Sequence, residues 1–306
     1  VLIVITIIVI LIFEYKKYSK NKDKCSNIES VYATNKIKIT QPSNNDKQTK
    51  FTLSLPLKKV AIMGSYNSCA VENFCYSYVD TCSLSKWIKL GIRAVDFEIY
   101  SKNGEPVIAV SSDDSYCLKN SYNSIQVKDA LKVVSSNAFS GVITNTKLET
   151  PFFITLRVKS AISEIYDKIW QAITATLSGN LLCSNQVDPS IFATPNTPMN
   201  DENTPILNTQ IKTLMNKVII IFDSTNTQKN SQPFNQVAGR LSQIIHIYTP
   251  VKRFNNISST TPLAATSFNI AIPSLGCSST NTVTNSSNVN LLEKSLNIID
   301  RKSTRL

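Results

Sequence analysis

The sequence predicts an α/β fold built on a mostly parallel sheet, of the (β/α)8 TIM-type barrel class, preceded by a single N-terminal transmembrane helix. Three observations carry this. Short apolar runs alternate with segments of helical period from residue 57 onward, the pattern of strands joined by crossover helices. The alternation covers about 245 residues, the usual size of such a barrel. No strand-like run is followed by a Gly-rich phosphate loop. A dinucleotide-binding sheet is therefore disfavoured, because its tight turn and close phosphate approach need those glycines. The expected divisions are an anchor at 1–13, a Lys/Asn/Ser-rich tether at 14–55 and the barrel domain at 56–306.

Of 306 residues, 42% are hydrophobic and 17% charged, which suits a globular domain. The net charge of +11 is unevenly placed: residues 14–59 hold eleven lysines against four acids and so carry +7 of it. A basicity confined to one segment argues against a nucleic-acid partner. None of the seven cysteines forms a C-x-x-C pair, which disfavours zinc and thioredoxin-like chemistry. Cys69, Cys75 and Cys82 are close enough in sequence to host one disulfide, although buried, idle thiols are the commoner outcome. His246 is the single histidine.

Residues 1–13 (VLIVITIIVILIF) are uncharged. A bilayer span needs about 20 such residues, so a span here expects further apolar residues upstream. The following Lys16, Lys17, Lys20, Lys22 and Lys24 read as a stop-transfer flank rather than a signal-peptide cleavage region. The positive-inside rule then puts the barrel on the cytoplasmic or interior side of a single-pass membrane protein. The same lysines can hold anionic lipid headgroups, each contributing on the order of 1 kcal/mol; a plain topology signal is the simpler reading. Residues 25–55 lack periodicity and read as solvated tether, ending at Pro56.

Within the domain, residues 60–63 form a short apolar run stopped by Gly64, a buried strand. Residues 83–90 are helical, with Ser83 as cap and Gly91 as stop. Residues 92–100 are a strand, Asn103-Gly104 a hairpin turn and 106–110 the next strand. Residues 125–139 are helical, with Val127, Ala130, Leu131, Val133 and Val134 as the apolar stripe. Residues 152–158 (FFITLRV) are a strand, and 161–177 a helix with Ile162, Ile165, Ile169, Trp170 and Ile173 at helical spacing. Residues 209–215 are helical and 217–222 (KVIIIF) a buried strand. Residues 237–248 are a helix, or a helix running into a strand, and 268–272 a strand. Residues 291–299 read as a last helix, so no eighth strand is evident and the barrel looks irregular or incomplete at this end. Asn256-Ile257-Ser258 and Asn285-Ser286-Ser287 are glycosylation sequons, relevant only to a domain facing a lumen.

Residues 56–225 resemble the X domain of phosphatidylinositol-specific phospholipase C and its TIM-barrel phosphodiesterase relatives. The likeness lies in Gly64-Ser65-Tyr66-Asn67-Ser68, in Gly91-Ile92-Arg93-Ala94-Val95-Asp96-Phe97-Glu98, in Gly104-Glu105-Pro106-Val107-Ile108, and in the strands at 152–158 and 217–222. The resemblance implies two catalytic histidines, one general base and one general acid, because an imidazole titrates near working pH. This chain has Tyr66 and Val110 at those positions. A chain with one histidine, outside both motifs, supports no two-histidine mechanism.

The resemblance also implies a calcium site whose ligands correspond to Asn67, Asp96, Glu98 and a fourth carboxylate, and here Arg157 stands at that fourth place. Calcium takes six to eight hard oxygens; a guanidinium supplies none. Basic residues implied for the strand at 217–222 are absent, leaving Ile221 and Asp223. Asp96 and Glu98 are two apart on a strand and face one way. The expectation is that Arg157 replaces the metal by pairing with Asp96 or Glu98, with no cofactor, or calcium if the site survives. The function expected is a membrane-anchored, phospholipase C-like protein of the phosphoric diester hydrolase superfamily, catalytically degenerate and acting as a binding or structural module. The alternative is an active phosphodiesterase on phosphoinositide or glycerophosphodiester substrates with a non-standard acid-base and metal site.

Overall fold

A computed structural model of the chain describes residues 2–33, 53–71, 78–110, 118, 121–140, 149–182, 205–223, 245–249, 251–254, 268–271 and 297–300. The helices are α1 (Leu2–Ala33), α2 (Thr81–Lys89), α3 (Val127–Asn137), α4 (Ser163–Leu177) and the single turn α5 (Pro205–Asn208). The strands are β1 (Ala61–Ser65), β2 (Ala94–Lys102), β3 (Glu105–Ile108), β4 (Ile125–Gln126), β5 (Phe152–Lys159), β6 (Val218–Asp223), β7 (Ile245–Thr249), β8 (Val251–Phe254), β9 (Phe268–Ala271) and β10 (Asn297–Asp300).

These strands form one ten-stranded sheet, with the path β7-β6-β5-β2-β1-β10-β9-β8. Every pairing along that path is parallel. The hairpin β2–β3 and the pair β3–β4 add antiparallel strands to one side. The mostly parallel α/β class is therefore as the sequence predicts.

Parallel strands covered on both faces read as near-continuous apolar runs. β5 is buried at all eight positions and β2 at its first seven. One face of each strand packs on the helices. Val95, Phe97 and Ile99 of β2 meet Phe152, Ile154, Leu156 and Val158 of β5 there. Trp87 and Ile88 of α2, Leu131 and Val134 of α3, and Ile165, Ile169 and Ile173 of α4 complete this core. Each such side chain contributes about 1.5–3 kcal/mol by leaving water.

The turn at Asn103-Gly104 has positive φ at both residues, 53° and 75°. This is the mirror-image turn whose twist matches a hairpin, and Asn and Gly are the residues that tolerate it. Gly91, with φ 93°, ends the segment after α2 as expected.

Several elements differ from the sequence reading. α2 is capped by Asp80, whose side chain accepts from Cys82 N, and it starts two residues before Ser83. Both residues carry a capping oxygen; Ser83 is instead turned inward, its hydroxyl donating to Ser68 O and Ala70 O. Ile162 lies outside α4 and is 50% exposed. Within the expected helical stretch 209–215, residues 211–214 form a single 3-10 turn. Of the expected last helix over 291–299, residues 297–299 lie instead in β10, which pairs with both β1 and β9, so this region does supply a strand; residues 291–296 lie outside the described residues.

α1 runs to Ala33, into the stretch read as tether; no Pro or Gly interrupts it before that point. Residues 2–13 are exposed along its first part. Among the described residues no helix is long and apolar enough to cross a membrane, so the expected transmembrane helix is not borne out. Residues 224–244 and 272–296, and both sequons, Asn256-Ile257-Ser258 and Asn285-Ser286-Ser287, lie outside the described residues.

Candidate functional site

The second face of β2 and β5 carries the polar side chains. Ala94, Asp96, Glu98 and Tyr100 alternate onto it from β2, and Phe153, Thr155, Arg157 and Lys159 from β5. The register sets Asp96 beside Thr155, Glu98 beside Arg157 and Tyr100 beside Lys159. The N-terminal half of this face is thus apolar and the C-terminal half charged. Asp96, Glu98, Arg157 and Lys159 are all buried. Charges withdrawn from water require partners, and the arrangement supplies them.

Arg157 Nε donates to Asp96 Oδ1 at 2.9 Å and Oδ2 at 3.1 Å, and Nη2 donates to Oδ1 at 2.7 Å. Nη1 lies 3.3 Å from Glu98 Oε2. Nη2 also donates to Asn67 Oδ1. The guanidinium carbon also sits over the Tyr66 ring, 4.4 Å from its centre, a cation–π distance. Burial works to lower the Arg157 guanidinium. The charges of Asp96, Tyr66 and Glu98, with the hydrogen bond to Asp96, outweigh it and hold Arg157 well above the ordinary arginine value.

The loop after β1 is sewn to β2 so that Asn67 reaches this cluster. Asn67 has φ 42°, a left-handed conformation that Asn tolerates better than most residues. Its backbone N–H donates to Asp96 Oδ1 at 3.2 Å. Ser68 N donates to Asp96 O at 3.0 Å. The Ser68 hydroxyl accepts from Asp96 N at 2.9 Å and donates to Ser65 O at 2.6 Å. On the far side, the Tyr100 hydroxyl donates to Glu98 Oε1 at 2.6 Å.

The structure therefore brings together Tyr66, Asn67, Asp96, Glu98 and Arg157. Val110 does not join them. It is buried in the helix-facing core, whereas Ala109 and Val107 pack with Tyr100. His246 is placed on β7, next to β6. Sequence reasoning missed Tyr100, although the signal was present, since it is two residues beyond Glu98 on the same strand face. Ser68 closes the Gly64–Ser68 motif that carries the resemblance, but its hydrogen bonds to Asp96 N and Ser65 O come only from the fold.

A calcium ion does not fit this set of residues. The carboxylate oxygens of Asp96, the nearer oxygen of Glu98 and the side-chain oxygen of Asn67 all face one fixed cation, Arg157. Among the described residues no group of three or more His, Cys, Asp or Glu converges as a metal-binding set. Chemically, the cluster is an ion-paired, hydrogen-bonded unit whose carboxylates are already engaged.

No family model matches the chain, and no curated protein matches it. Solved structures do. PLC21 of L. pealei superposes with a TM-score of 0.46 at 14% identity, over 72% of this chain and 27% of that one. PLC21 of S. officinalis gives 0.45 at 14% identity over the same shares. A calcium-dependent phosphoinositol-specific phospholipase C from a Gram-negative Pseudomonas sp. gives 0.42 at 12% identity, over 72% of this chain and 77% of that one. The chain thus spans about a quarter of the length of the two PLC21 proteins. With TM-scores below 0.5 and identities of 12–14%, this likeness decides neither family nor activity.

Proposed function

We propose that this chain is a phospholipase C X-domain-like barrel that has lost phosphodiester chemistry and acts as a binding or structural module at a membrane. The observation that carries the reading is the Arg157 guanidinium seated among Asp96, Glu98 and Asn67, the residues that the sequence resemblance assigns to a metal. A fixed cation in that place satisfies the carboxylates without leaving a Lewis acid for phosphorus. The family positions for proton transfer hold Tyr66, whose ring lies against Arg157, and Val110, which is packed in the core. Neither supplies a base that works near neutral pH.

The strand order supports barrel closure. β7 and β8, at opposite ends of the pairing path, are separated in the chain by Pro250 alone. Residues 245–254 acting as one strand would pair with β6 on one side and β9 on the other, and the ring would close in chain order. Membrane association rests on residues 2–13, apolar around the whole helix and exposed, followed by five lysines within eleven residues.

The test is an assay of phosphoinositide and glycerophosphodiester hydrolysis with calcium or magnesium present. The reading expects no turnover above a heat-denatured control. Turnover that Asp96→Asn abolishes would establish the active-enzyme alternative instead. Flotation with vesicles containing anionic lipid tests the membrane part separately.

A further inference from the structure

α1 makes one substantial packing contact among the described elements, and that contact is with α2. The two helices are joined there by a disulfide between Cys25 and Cys82. Their Cα atoms are 6.4 Å apart, inside the range a disulfide spans without moving the backbone. Cys25 is buried, while the apolar start of the same helix is exposed. The sequence spacing allows one bond among Cys69, Cys75 and Cys82, with buried, idle thiols the commoner outcome. Cys69 instead lies in the apolar core, and Cys75 is outside the described residues.

The bond sits at a chosen end of the domain. Cys82 is in the first turn of α2 and next to Ser83, whose hydroxyl braces Ser68 O and Ala70 O. Asp80 N donates to Cys69 O at 2.8 Å. These contacts fix the loop that carries Tyr66 and Asn67. α1 is therefore fastened at the end of the sheet where the Arg157 cluster lies.

We propose that Cys25–Cys82 is a covalent clasp that holds α1 against the domain, and that the chain from Cys25 onward matures in an oxidising compartment. Such bonds persist in secretory, exterior or periplasmic spaces and are reduced in the cytosol. Closure takes two protons and two electrons from the two thiols. The acceptor is a disulfide-bearing oxidant, which leaves as its dithiol while the Sγ–Sγ bond forms by exchange. This reverses the cytoplasmic orientation that the lysine flank suggests, and the two sequons, relevant only to a lumenal domain, belong with it. The proposal stands whether or not α1 enters a bilayer.

The full chain, produced through a secretory route, is alkylated without reductant, digested and mapped by mass spectrometry. The expected result is one linked species containing Cys25 and Cys82, which separates into two peptides on reduction. In the Cys25→Ser variant, Cys82 becomes alkylated and the melting temperature falls by roughly 5–15 °C. Limited cleavage within residues 34–52 should leave α1 attached until reductant is added. Recovery of Cys25 and Cys82 as separately alkylated peptides from the oxidised wild-type chain would overturn the proposal. So would release of α1 by cleavage alone. Vesicle flotation reads the membrane association independently.

Discussion

The Arg157 Nη2 atom lies 2.7 Å from Asp96 Oδ1, with both side chains almost wholly withdrawn from solvent. A buried ion pair is weak ground for net stability, because desolvation opposes the Coulombic gain. Breaking one is different, since the remaining charge is left buried alone. Arg157→Met is therefore expected to cost about 3–5 kcal/mol, measured by urea denaturation. Arg157→Lys should recover only part of this, because an ammonium cannot bridge both oxygens of Asp96 while reaching Glu98 and Asn67.

Tyr100 holds Glu98 from the other side. A hydrogen bond to a charged acceptor contributes roughly 1.5–3 kcal/mol, so Tyr100→Phe should lower stability by about that amount. A double-mutant cycle with Glu98→Gln checks the pairing. The two losses should fall short of additivity, because each variant removes the same charged bond.

Arg93 gives the pH-dependent prediction. It donates to Ala138 O and Thr150 O and lies between the rings of Phe139 and Phe152, at 5.3 and 5.0 Å. Burial pushes its guanidinium down to about 9 from the ordinary 12.5. A cation with a depressed value in the fold is held less tightly there than in the unfolded chain. Above about 9 the folded chain has given up a proton that the unfolded chain keeps, so stability rises with pH in that window. Relative to Arg93→Met, the wild-type chain should gain on the order of 1 kcal/mol per pH unit there, read from denaturation at pH 8, 9 and 10.

Much of this was legible in the sequence. The period-2 spacing of Asp96 and Glu98 put both on one strand face, and the family resemblance set Arg157 opposite them. Asn103-Gly104 announced its turn because few other pairs accept two positive φ values. What was not legible depended on contacts distant along the chain. The partner of Cys82 is 57 residues away, beyond anything spacing can suggest. β10 has four residues with polar ends, and its neighbours β1 and β9 make it a strand. Val110 lies just past the end of β3, where the period-2 rule no longer fixes a side chain's direction. Asp80 and Ser83 both carry a capping oxygen, and only the loop at 68–70 decides between them.

As proposed, Arg157 takes the place of a cation among Asp96, Glu98 and Asn67 and leaves no oxygen free for a metal. Isothermal titration of calcium into the wild-type chain should give no saturable heat up to millimolar calcium. Stoichiometric binding in that range, abolished by Asp96→Asn, would contradict it.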